Sequence, residues 1–453
     1  MRVLSSSGLG AVRAPHRPSV PTVGCDAEQF QGSGVRTGSA AHAARATAPQ
    51  HRDEGVPTVS APTDVVILHG ARTPQGRIMG QLAPLSAVRL GAHAIRAALE
   101  RAEVDPAQVD QVLMGQVIQA GVGQNPAKQA AMAAGISRSV PAMTLNKVCL
   151  SGLVAVVDAA RLIRLGEADV VVAGGQESMT GAPHLAAGVR AGKTYGDLRL
   201  QDAVARDGLT DAEDGRPMGE STEEGNAQRG IGREEQDAVA AASHQRAGRA
   251  QADGILGQEI APIPVPQRRG EPVTVTEDEG IRPDSTPQTL GRLRPAFAEG
   301  GTITAGNASP LSDGAAALVL ASRAWAEEHG LDWLCTVGAA GQTAGPDAML
   351  HSQPSQATAA ALARAGWDAA DLDFWEVNEA FASVALQSAR DLGVELERVN
   401  IHGGAIALGH PIGASGARLA LTAALELARR GTGKAAVSLC GGGGQGEALL
   451  LQR

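Results

Sequence analysis

The chain has 453 residues, a net charge of −9 and 43% apolar residues. This length is enough for two or three domains with a large buried core. The negative charge argues against nucleic acid or an anionic membrane as partners, and no apolar stretch is long enough to span a bilayer. We therefore expect an ordinary soluble globular protein.

The four cysteines are Cys25, Cys149, Cys335 and Cys440. So few in so long a chain do not form a disulfide framework, and no C-x-x-C pair or cluster of cysteine with histidine indicates a structural zinc. For any one of them, the ordinary interpretation is a small, buried, inert thiol. The pattern predicts a reducing, cytoplasmic location and no metal.

Residues 1–62 differ from the rest of the chain. They are rich in Ser, Gly, Ala, Pro, Arg and His, lack helical or strand periodicity and carry a charge of +2, which leaves −11 for the remainder. A transit peptide is an alternative, but four acidic residues weigh against it. We expect a disordered extension, or residues upstream of the true start codon. The ordered chain is predicted to begin at DVVILHGARTP, a strand followed by a loop.

An internal repeat spans much of the chain. Segment 97–117, AALERAEVDPAQVDQVLMGQV, matches segment 360–380, AALARAGWDAADLDFWEVNEA, at eight of 21 positions. Ser151-Gly152 then corresponds to Ser415-Gly416 at an offset of 264, and each pair is followed by an apolar helix, a glycine, a strand and further glycines. This ordered series favours duplication over chance similarity between alanine-rich helices.

Both halves alternate strands with helices, which predicts two α/β units with a mainly parallel buried sheet. We place the first half at 63–330 and the second at 331–453. Residues of about 180–308, more charged and richer in Gly and Pro, form an insertion in the first half with one clear helix at 233–253. Such loop regions often carry ligand contacts.

Reactive side chains follow four predicted strands or precede the helices after them. Cys149 precedes a buried helix, Asn378 follows the strand DFWEV and opens the next helix, His410 precedes a second apolar helix, and Cys440 ends the strand KAAVSLC. Ligands of α/β units gather at such strand ends. In the repeat, position 410 corresponds to Asn146, so the loops of Cys149 and His410 are expected to face each other across a pseudo-twofold axis.

These residue types suit covalent catalysis by a thiol. The positive end of a helix favours the thiolate of Cys149, and a nearby imidazole would take its proton. The run GGGGQG after Cys440 would let backbone N–H groups approach a developing oxyanion. In isolation the glycine run is as often a tight turn, and a histidine such as His410 is more often a hydrogen-bonded core residue.

Residues 64–453 resemble the thiolase family. The resemblance depends on GQNPAKQAA, NKVCLSGL, GGQESM, TAGNAS, NEAFA, GGAIALGHPIGASGAR and CGGGGQG, in the family's order and spacing. The overall match leans towards the acetyl-CoA acetyltransferases of the family rather than its long-chain 3-ketoacyl-CoA thiolases. It implies two duplicated βαβαβ halves in a layered α/β/α/β/α core, a loop domain inserted in the first half, and a homotetramer built as a dimer of dimers.

The resemblance also implies roles for the residues at the strand ends. Cys149 would be the nucleophile that accepts the acyl group, and His410 would activate it and help to bind the thioester oxygen. Cys440 would be the acid/base that removes the α-proton of the second acyl-CoA. Asn378 would complete one oxyanion hole through a water, and the backbone N–H groups of Cys149 and Gly442 would form the other.

Further residues are implied by matching loop positions. Met218, Arg282, Phe297 and Ser309 would contact coenzyme A, and Met349 would begin the acyl-pocket segment. The implied reaction is the reversible Claisen condensation of two acetyl-CoA to acetoacetyl-CoA and free CoA through an acyl-cysteine, in ping-pong order. Acetyl-CoA, acetoacetyl-CoA and CoA are the expected partners, and no cofactor is expected.

The sequence departs from the family pattern at several positions. Pro217 stands where a histidine is common before Met-Gly, and Glu224 stands where asparagine is common. Pro310 and Ser312 replace the usual glycine and asparagine, and MLHSQP, residues 349–354, replaces Met-Gly-x-Gly-Pro. These departures concern coenzyme A affinity and acyl chain length rather than the four catalytic positions.

Other functions were weighed against this one. The same machinery would serve a 3-ketoacyl-CoA thiolase of broader chain length in fatty-acid β-oxidation. A ketoacyl synthase has no general use for Cys440, and a cysteine hydrolase using Cys149 and His410 would not require it either. A non-catalytic acyl-CoA or sterol carrier would not need all four intact positions.

Overall fold

The computed structural model describes residues 64–453, so the extension predicted at 1–62 lies outside the described residues. The strands are β1 (Val65–Arg72), β2 (Gly76–Arg77), β3 (Gln111–Gly115), β4 (Ala142–Leu145), β5 (Val170–Ser178), β6 (His184–Leu185), β7 (Gln201–Asp202), β8 (Ile263–Val265), β9 (Val273–Val275), β10 (Ser312–Ser322), β11 (Cys335–Ala344), β12 (Phe374–Val377), β13 (Lys434–Gly441) and β14 (Gln445–Gln452). The helices are α1 (Ala87–Arg101), α2 (Pro126–Ala133), α3 (Ser151–Arg164), α4 (Met218–Arg229), α5 (Arg233–Ala252), α6 (Ile255–Glu259), α7 (Pro287–Leu290), α8 (Arg323–Glu328), α9 (Gln353–Ala365), α10 (Ala382–Leu392), α11 (Ala405–Leu408) and α12 (Ser415–Arg430).

The duplication seen in the sequence recurs in the strand order. Within the described residues the large sheet runs β12-β13-β14-β11-β1-β10-β5-β3-β4, with β2 beside β10. In each half a parallel pair, β3 with β5 or β12 with β13, is followed by two antiparallel pairings. The prediction of a mainly parallel sheet was therefore wrong, because each half closes with two long antiparallel strands.

The helices divide the fold into five layers, as the fold prediction required. The paired helices α3 and α12 pack between the two halves of the sheet and form the central apolar cluster. Helices α1 and α2 cover the outer face of the first half, and α9 and α10 cover the outer face of the second. This burial on both sides explains why α3 and α12 carry so few polar residues.

The insertion leaves β5 and returns to the sheet at β10. Its predicted central helix is confirmed as α5, Arg233–Ala252. A buried arginine of β1, Arg72, fastens the insertion to the sheet, since its guanidinium donates to Glu259 at 2.7 Å and to both carboxylate oxygens of Asp278 at 2.7 and 2.9 Å. An arginine buried without such partners would be strongly destabilising, so the ion pairs hold the insertion in one place.

The two halves meet most closely around one carbonyl group. A Cβ atom added to Gly115, Gly152 or Gly175 would lie 2.6, 2.8 or 2.0 Å from the carbonyl oxygen of Gly413. Gly115, Gly152 and Gly175 lie in β3, α3 and β5 of the first half. Gly413 lies in the loop before α12. Only glycine leaves room for this approach, which sets the loop of His410 directly against the first half.

Candidate active site

Cys149 lies in the loop between β4 and α3. The preceding residue, Val148, has φ of 51°, a left-handed conformation that is strained for a β-branched side chain. Ser151 stabilises this turn, because its hydroxyl donates to the Val148 carbonyl at 2.6 Å and accepts from the Lys147 N–H at 2.8 Å. The sequence thus uses the first residue of α3 to hold the thiol in a fixed position.

The surroundings of Cys149 are apolar. Val117, Ile118, Met179 and Ile412 belong to the same buried cluster as the thiol. Burial raises the pKa of Cys149 to about 12, although the N–H groups of Cys149 and Gly442 bond to the sulfur and oppose the rise. Loss of water is the largest of these effects, so the thiol form is favoured in the free protein, and the contribution of the helix end to the thiolate stays a prediction.

His410 lies in the equivalent loop of the second half. The amide nitrogen of Asn378 lies 3.3 Å from its Nε2, and its Nδ1 lies 2.6 Å from the Ser415 hydroxyl oxygen. The Ser415 hydroxyl donates to the Pro411 carbonyl at 3.0 Å, so Nδ1 carries the ring proton, and Nε2 is the unprotonated nitrogen that accepts from the Asn378 amide. Burial, followed by the charge of Arg418, lowers the pKa of His410 to about 3, which keeps the imidazole neutral.

Cys440 lies near the end of β13 and is fully buried. Burial raises the pKa of its thiol above the usual range, and the charge of Cys149 adds to this effect. The N–H of Gly442, two residues beyond Cys440, bonds to the Cys149 sulfur. The Cys149 sulfur therefore lies beside the turn that follows Cys440.

Asn378 follows β12 directly. Its backbone N–H donates to the Ser438 carbonyl at 3.0 Å, which fixes it beside β13. Its side-chain oxygen is buried and has no protein partner within residues 64–453. The next helix begins at Ala382 rather than at Glu379, because Glu379–Phe381 first forms a short loop. An oxygen left in this way is suited to hold a water at the pocket.

Three of the predicted coenzyme A residues lie near the thiols. Met218 lines a cavity of about 710 Å³ together with Val148 and Gly442. The ring of Phe297 meets Phe381 edge to face, with centroids 6.1 Å apart. The N–H and hydroxyl of Ser309 both donate to the Ala380 carbonyl at 3.1 Å. These contacts join the insertion to the loop after Asn378.

The other two predicted ligand residues are placed differently. Arg282 donates its backbone N–H to His244 Nδ1, a side chain of α5, at 3.2 Å. Leu350, rather than Met349, packs in the cluster around Cys440, together with Ile303. Sequence reasoning missed Leu350, although MLHSQP has one residue more between Met and Pro than Met-Gly-x-Gly-Pro. Counting back from the proline would have found it.

Two of the departures from the family pattern lie together on the insertion. Arg216, which precedes Pro217, forms ion pairs with Asp214 at 2.7 Å and with Glu224 at 2.9 Å. All three side chains are largely exposed, so these pairs contribute little to stability. Arg216 is shared between the two carboxylates, so the group keeps one net negative charge at the position where asparagine is common.

Residues 64–453 contain neither a metal-binding cluster nor a membrane-spanning helix. No group of three or more His, Cys, Asp or Glu side chains is arranged to hold a metal ion there. In the same range no helix is both long and apolar enough to cross a membrane.

Comparison with known families decides the assignment. Residues 65–324 match the model of the thiolase N-terminal domain, and residues 331–453 match that of the thiolase C-terminal domain. The chain belongs to the thiolase family. It is accordingly an enzyme, and one of the acyltransferases.

Curated relatives and a solved structure agree with this. A probable acetyl-CoA acetyltransferase of Mycolicibacterium smegmatis is 55% identical, over 86% of this chain and all of the relative. An acetyl-CoA acetyltransferase of Cupriavidus necator is 48% identical over the same shares. The crystal structure of the Bacillus anthracis acetyl-CoA acetyltransferase, 38% identical, superposes with a TM-score of 0.84 over 86% of this chain and 99% of that one.

Proposed function

We propose that this protein is an acetyl-CoA C-acetyltransferase, which condenses two acetyl-CoA reversibly to acetoacetyl-CoA and CoA. The relatives named above support the reaction. The arrangement that supports it combines two buried thiols, Cys149 and Cys440, with the charge of the first acting on the second, and a neutral imidazole whose Nε2 carries no proton. A single acyl transfer needs one thiol, whereas carbon–carbon bond formation also needs a base for an α-carbon.

In the first half-reaction the sulfur of Cys149 attacks the thioester carbonyl of acetyl-CoA. Nε2 of His410 takes the thiol proton as the new C–S bond forms. The bond to the CoA sulfur then breaks, and the proton passes to the leaving thiolate, which leaves acetyl-Cys149 and free CoA. The N–H groups of Cys149 and Gly442, which bond to the sulfur in the free protein, would bind the transient oxyanion.

In the second half-reaction Cys440 acts as the base. Its thiolate takes an α-proton from a second acetyl-CoA, and the enolate oxygen is bound by a water on Asn378 and by His410 in the form that carries a proton on Nε2. The carbanion attacks acetyl-Cys149, so that a C–C bond forms and the C–S bond to Cys149 breaks, and the α-proton held by Cys440 passes to the released Cys149 thiolate. No electrons are gained or lost overall, and the proposed reaction includes neither a metal nor another cofactor.

The pocket around Cys440 favours a short acyl group. Leu350, Phe381 and Ile303 close around the thiol, which is fully buried. We assign coenzyme A to the side of Met218, Phe297 and Ser309, and keep Arg282 and Met349 as proposed contacts further out. The alternative, cleavage of longer 3-ketoacyl-CoA esters, requires this wall to open.

Two measurements test the proposal. Turnover on a series of 3-ketoacyl-CoA esters from C4 to C16 should fall steeply with length, and equal or better rates at C10 and above would reject the short-chain assignment. Intact mass after mixing with acetyl-CoA should show one acetyl group on the wild type and on Cys440→Ser, but none on Cys149→Ala. Cys440→Ser should fail to condense, and full activity in it would reject the proposed base.

We also propose a homotetramer in the cytoplasm, acting in fatty acid metabolism on coenzyme A esters rather than on nucleic acid or a membrane. The segment between β6 and β7 exposes apolar side chains that a further copy would cover, among them Tyr195 at 94% exposure and Leu200 at 58%. Light scattering should give four times the monomer mass. A stable monomer would reject this part of the proposal without affecting the chemistry.

A further inference from the structure

Glu177 is a buried carboxylate that the mechanism above does not use. It is the second-last residue of β5, within the motif GGQESM, and its side chain has no exposure to solvent. Burial raises the pKa of Glu177 to about 7, and backbone N–H bonds oppose the rise. A carboxylate without access to solvent needs hydrogen-bond donors that offset the loss of its hydration.

Its partners come from both halves of the chain. One oxygen, Oε2, accepts from the Val117 N–H at 2.9 Å and from the Gly413 N–H at 3.0 Å. The other, Oε1, accepts from the Ile118 N–H at 3.2 Å. Val117 and Ile118 follow β3 of the first half, whereas Gly413 lies in the loop before α12 of the second. One carboxylate thus joins two backbone segments that are distant in the sequence.

Both segments lead directly to the reacting groups. Val117 and Ile118 pack in the buried cluster of Cys149, and so does Ile412, the neighbour of Gly413. Gly413 follows His410 by three residues and precedes Ser415, the partner of the imidazole, by two. A shift of the Gly413 loop would therefore move the imidazole relative to the thiol.

We propose that Glu177 is a positioning residue that ties the loop of His410 to the wall of the Cys149 pocket and so sets the approach of imidazole to thiol. It touches neither substrate nor reacting atom, and it acts through the N–H groups of Val117, Ile118 and Gly413. The proposal rests on the proposed function, because the imidazole must take the thiol proton. A misplacement of about 1 Å in such a pair can cost on the order of 100-fold in rate.

Charge and position predict opposite results when Glu177 is replaced by glutamine. The negative charge of Glu177 raises the pKa of Cys149, although less than burial does. Removing the charge alone would therefore favour the thiolate and speed its reactions. Glutamine, however, can place an acceptor on only one side, so at least one N–H bond is lost and an amide N–H faces a backbone N–H.

The test compares Glu177→Gln with the wild type at pH 8, where the carboxylate is ionised. Two rates are measured at Cys149: acetylation by acetyl-CoA, followed by intact mass in a rapid-quench series, and alkylation by iodoacetamide, followed on the peptide that contains Cys149. We expect both to fall about tenfold or more, with KM for acetyl-CoA changed less than threefold. Alkylation does not depend on the natural substrate, so it reports on the positioning even if the proposed function fails.

Asp110 provides the matched control. Its carboxylate accepts the Asp169 and Val170 N–H groups at 2.8 and 2.9 Å, at the opposite end of the same strand β5. Asp110→Asn should leave both rates within about twofold of the wild type. Hydrogen exchange should show lost protection at Val117, Ile118 and Gly413 in Glu177→Gln alone.

Several outcomes would overturn the assignment. Unchanged or faster alkylation in Glu177→Gln would show that the carboxylate acts only through its charge or not at all. An equal loss in Asp110→Asn would show a general effect of weakening β5. If Glu177→Gln does not fold, Glu177→Asp, which keeps the charge but is one methylene too short to reach both loops, must show the same slowing for the proposal to stand. Absence of acetylation in the wild type, with the alkylation difference intact, would reject the proposed function and not the positioning.

Discussion

The loops before α3 and before α12 occupy equivalent places in the two halves, yet they do different chemistry. Ser151 and Ser415 are the first residues of their helices, at an offset of 264. Ser151 bonds only to the backbone on either side of Val148, whereas Ser415 also holds the ring of His410. Both halves have a serine hydroxyl at this position, but the groups that it hydrogen-bonds differ.

This difference shows how one backbone arrangement came to provide a nucleophile and a base. The residue that corresponds to His410 in the first half is Asn146, whose side-chain oxygen accepts the Val148 N–H at 3.0 Å. The polar groups of the first loop thus stabilise the strained turn that holds Cys149. The second loop uses its serine hydroxyl to orient an imidazole.

Making the two loops alike should have the largest effect. His410→Asn gives the second loop the residue of the first and removes the proton acceptor for Cys149. We expect acetylation by acetyl-CoA to slow by about 10³-fold, within the range that general base catalysis contributes. Rapid-quench intact mass measures it. A loss of less than tenfold would mean that the thiol has another base.

The pH dependence of the rate at which Cys149 is alkylated should show the next largest effect. With its pKa raised to about 12 and that of His410 lowered to about 3, both groups are neutral in the free protein at pH 7. The thiolate fraction therefore rises about tenfold per pH unit, or about 100-fold from pH 7 to pH 9. Alkylation of the Cys149 peptide by iodoacetamide should follow this slope. A plateau below pH 8 would reveal a preformed ion pair of thiolate and imidazolium.

Removing the second-loop hydroxyl should have a moderate effect. Ser415→Ala leaves the Nδ1 proton of His410 without its partner, so the ring can turn or change tautomer. We expect kcat to fall roughly 30-fold, between the effects of losing one hydrogen bond and of losing the base, with KM for acetyl-CoA nearly unchanged. Steady-state kinetics in the condensation direction provide the test. Normal kcat in the alanine variant would show that the pocket walls alone orient the imidazole.

The same change in the first loop should affect catalysis least. Ser151→Ala removes two hydrogen bonds to the backbone around Val148 and should lower the free energy of unfolding by about 1–3 kcal/mol. Because packing also holds Cys149, we expect kcat to stay within about threefold of the wild type. Thermal melting and steady-state kinetics on one preparation measure both. A rate loss as large as that of Ser415→Ala would mean that the loops are not specialised after all.

The sequence predicted the parts of the molecule that leave a periodic or repeated pattern. The buried helix α3 follows from the apolar segment after Ser151-Gly152, and α5 from the helical segment within the insertion. The strand directions did not follow, since a buried strand looks the same whether its neighbour is parallel or antiparallel. The raised pKa of the Cys149 thiol did not follow either, because it depends on how much water the folded chain excludes.

Within the pocket the sequence was better at naming residues than at placing them. Motif order singled out Asn378 and His410, and the structure places them 3.3 Å apart. Leu350 was not predicted, because a one-residue difference in loop length moves every later side chain to a new position. Glu177 escaped because its partners are backbone groups of three other residues, which no side-chain pattern records.

The carbonyl of Gly413 has a consequence for how this protein can evolve. Three glycines of one half surround an atom of the other with no room for a methyl group. Although the two halves repeat one strand order, they cannot accept changes independently at this joint. An alanine at Gly175 would have to push aside the loop that carries the base, so selection for folding and selection for turnover act there on the same atoms.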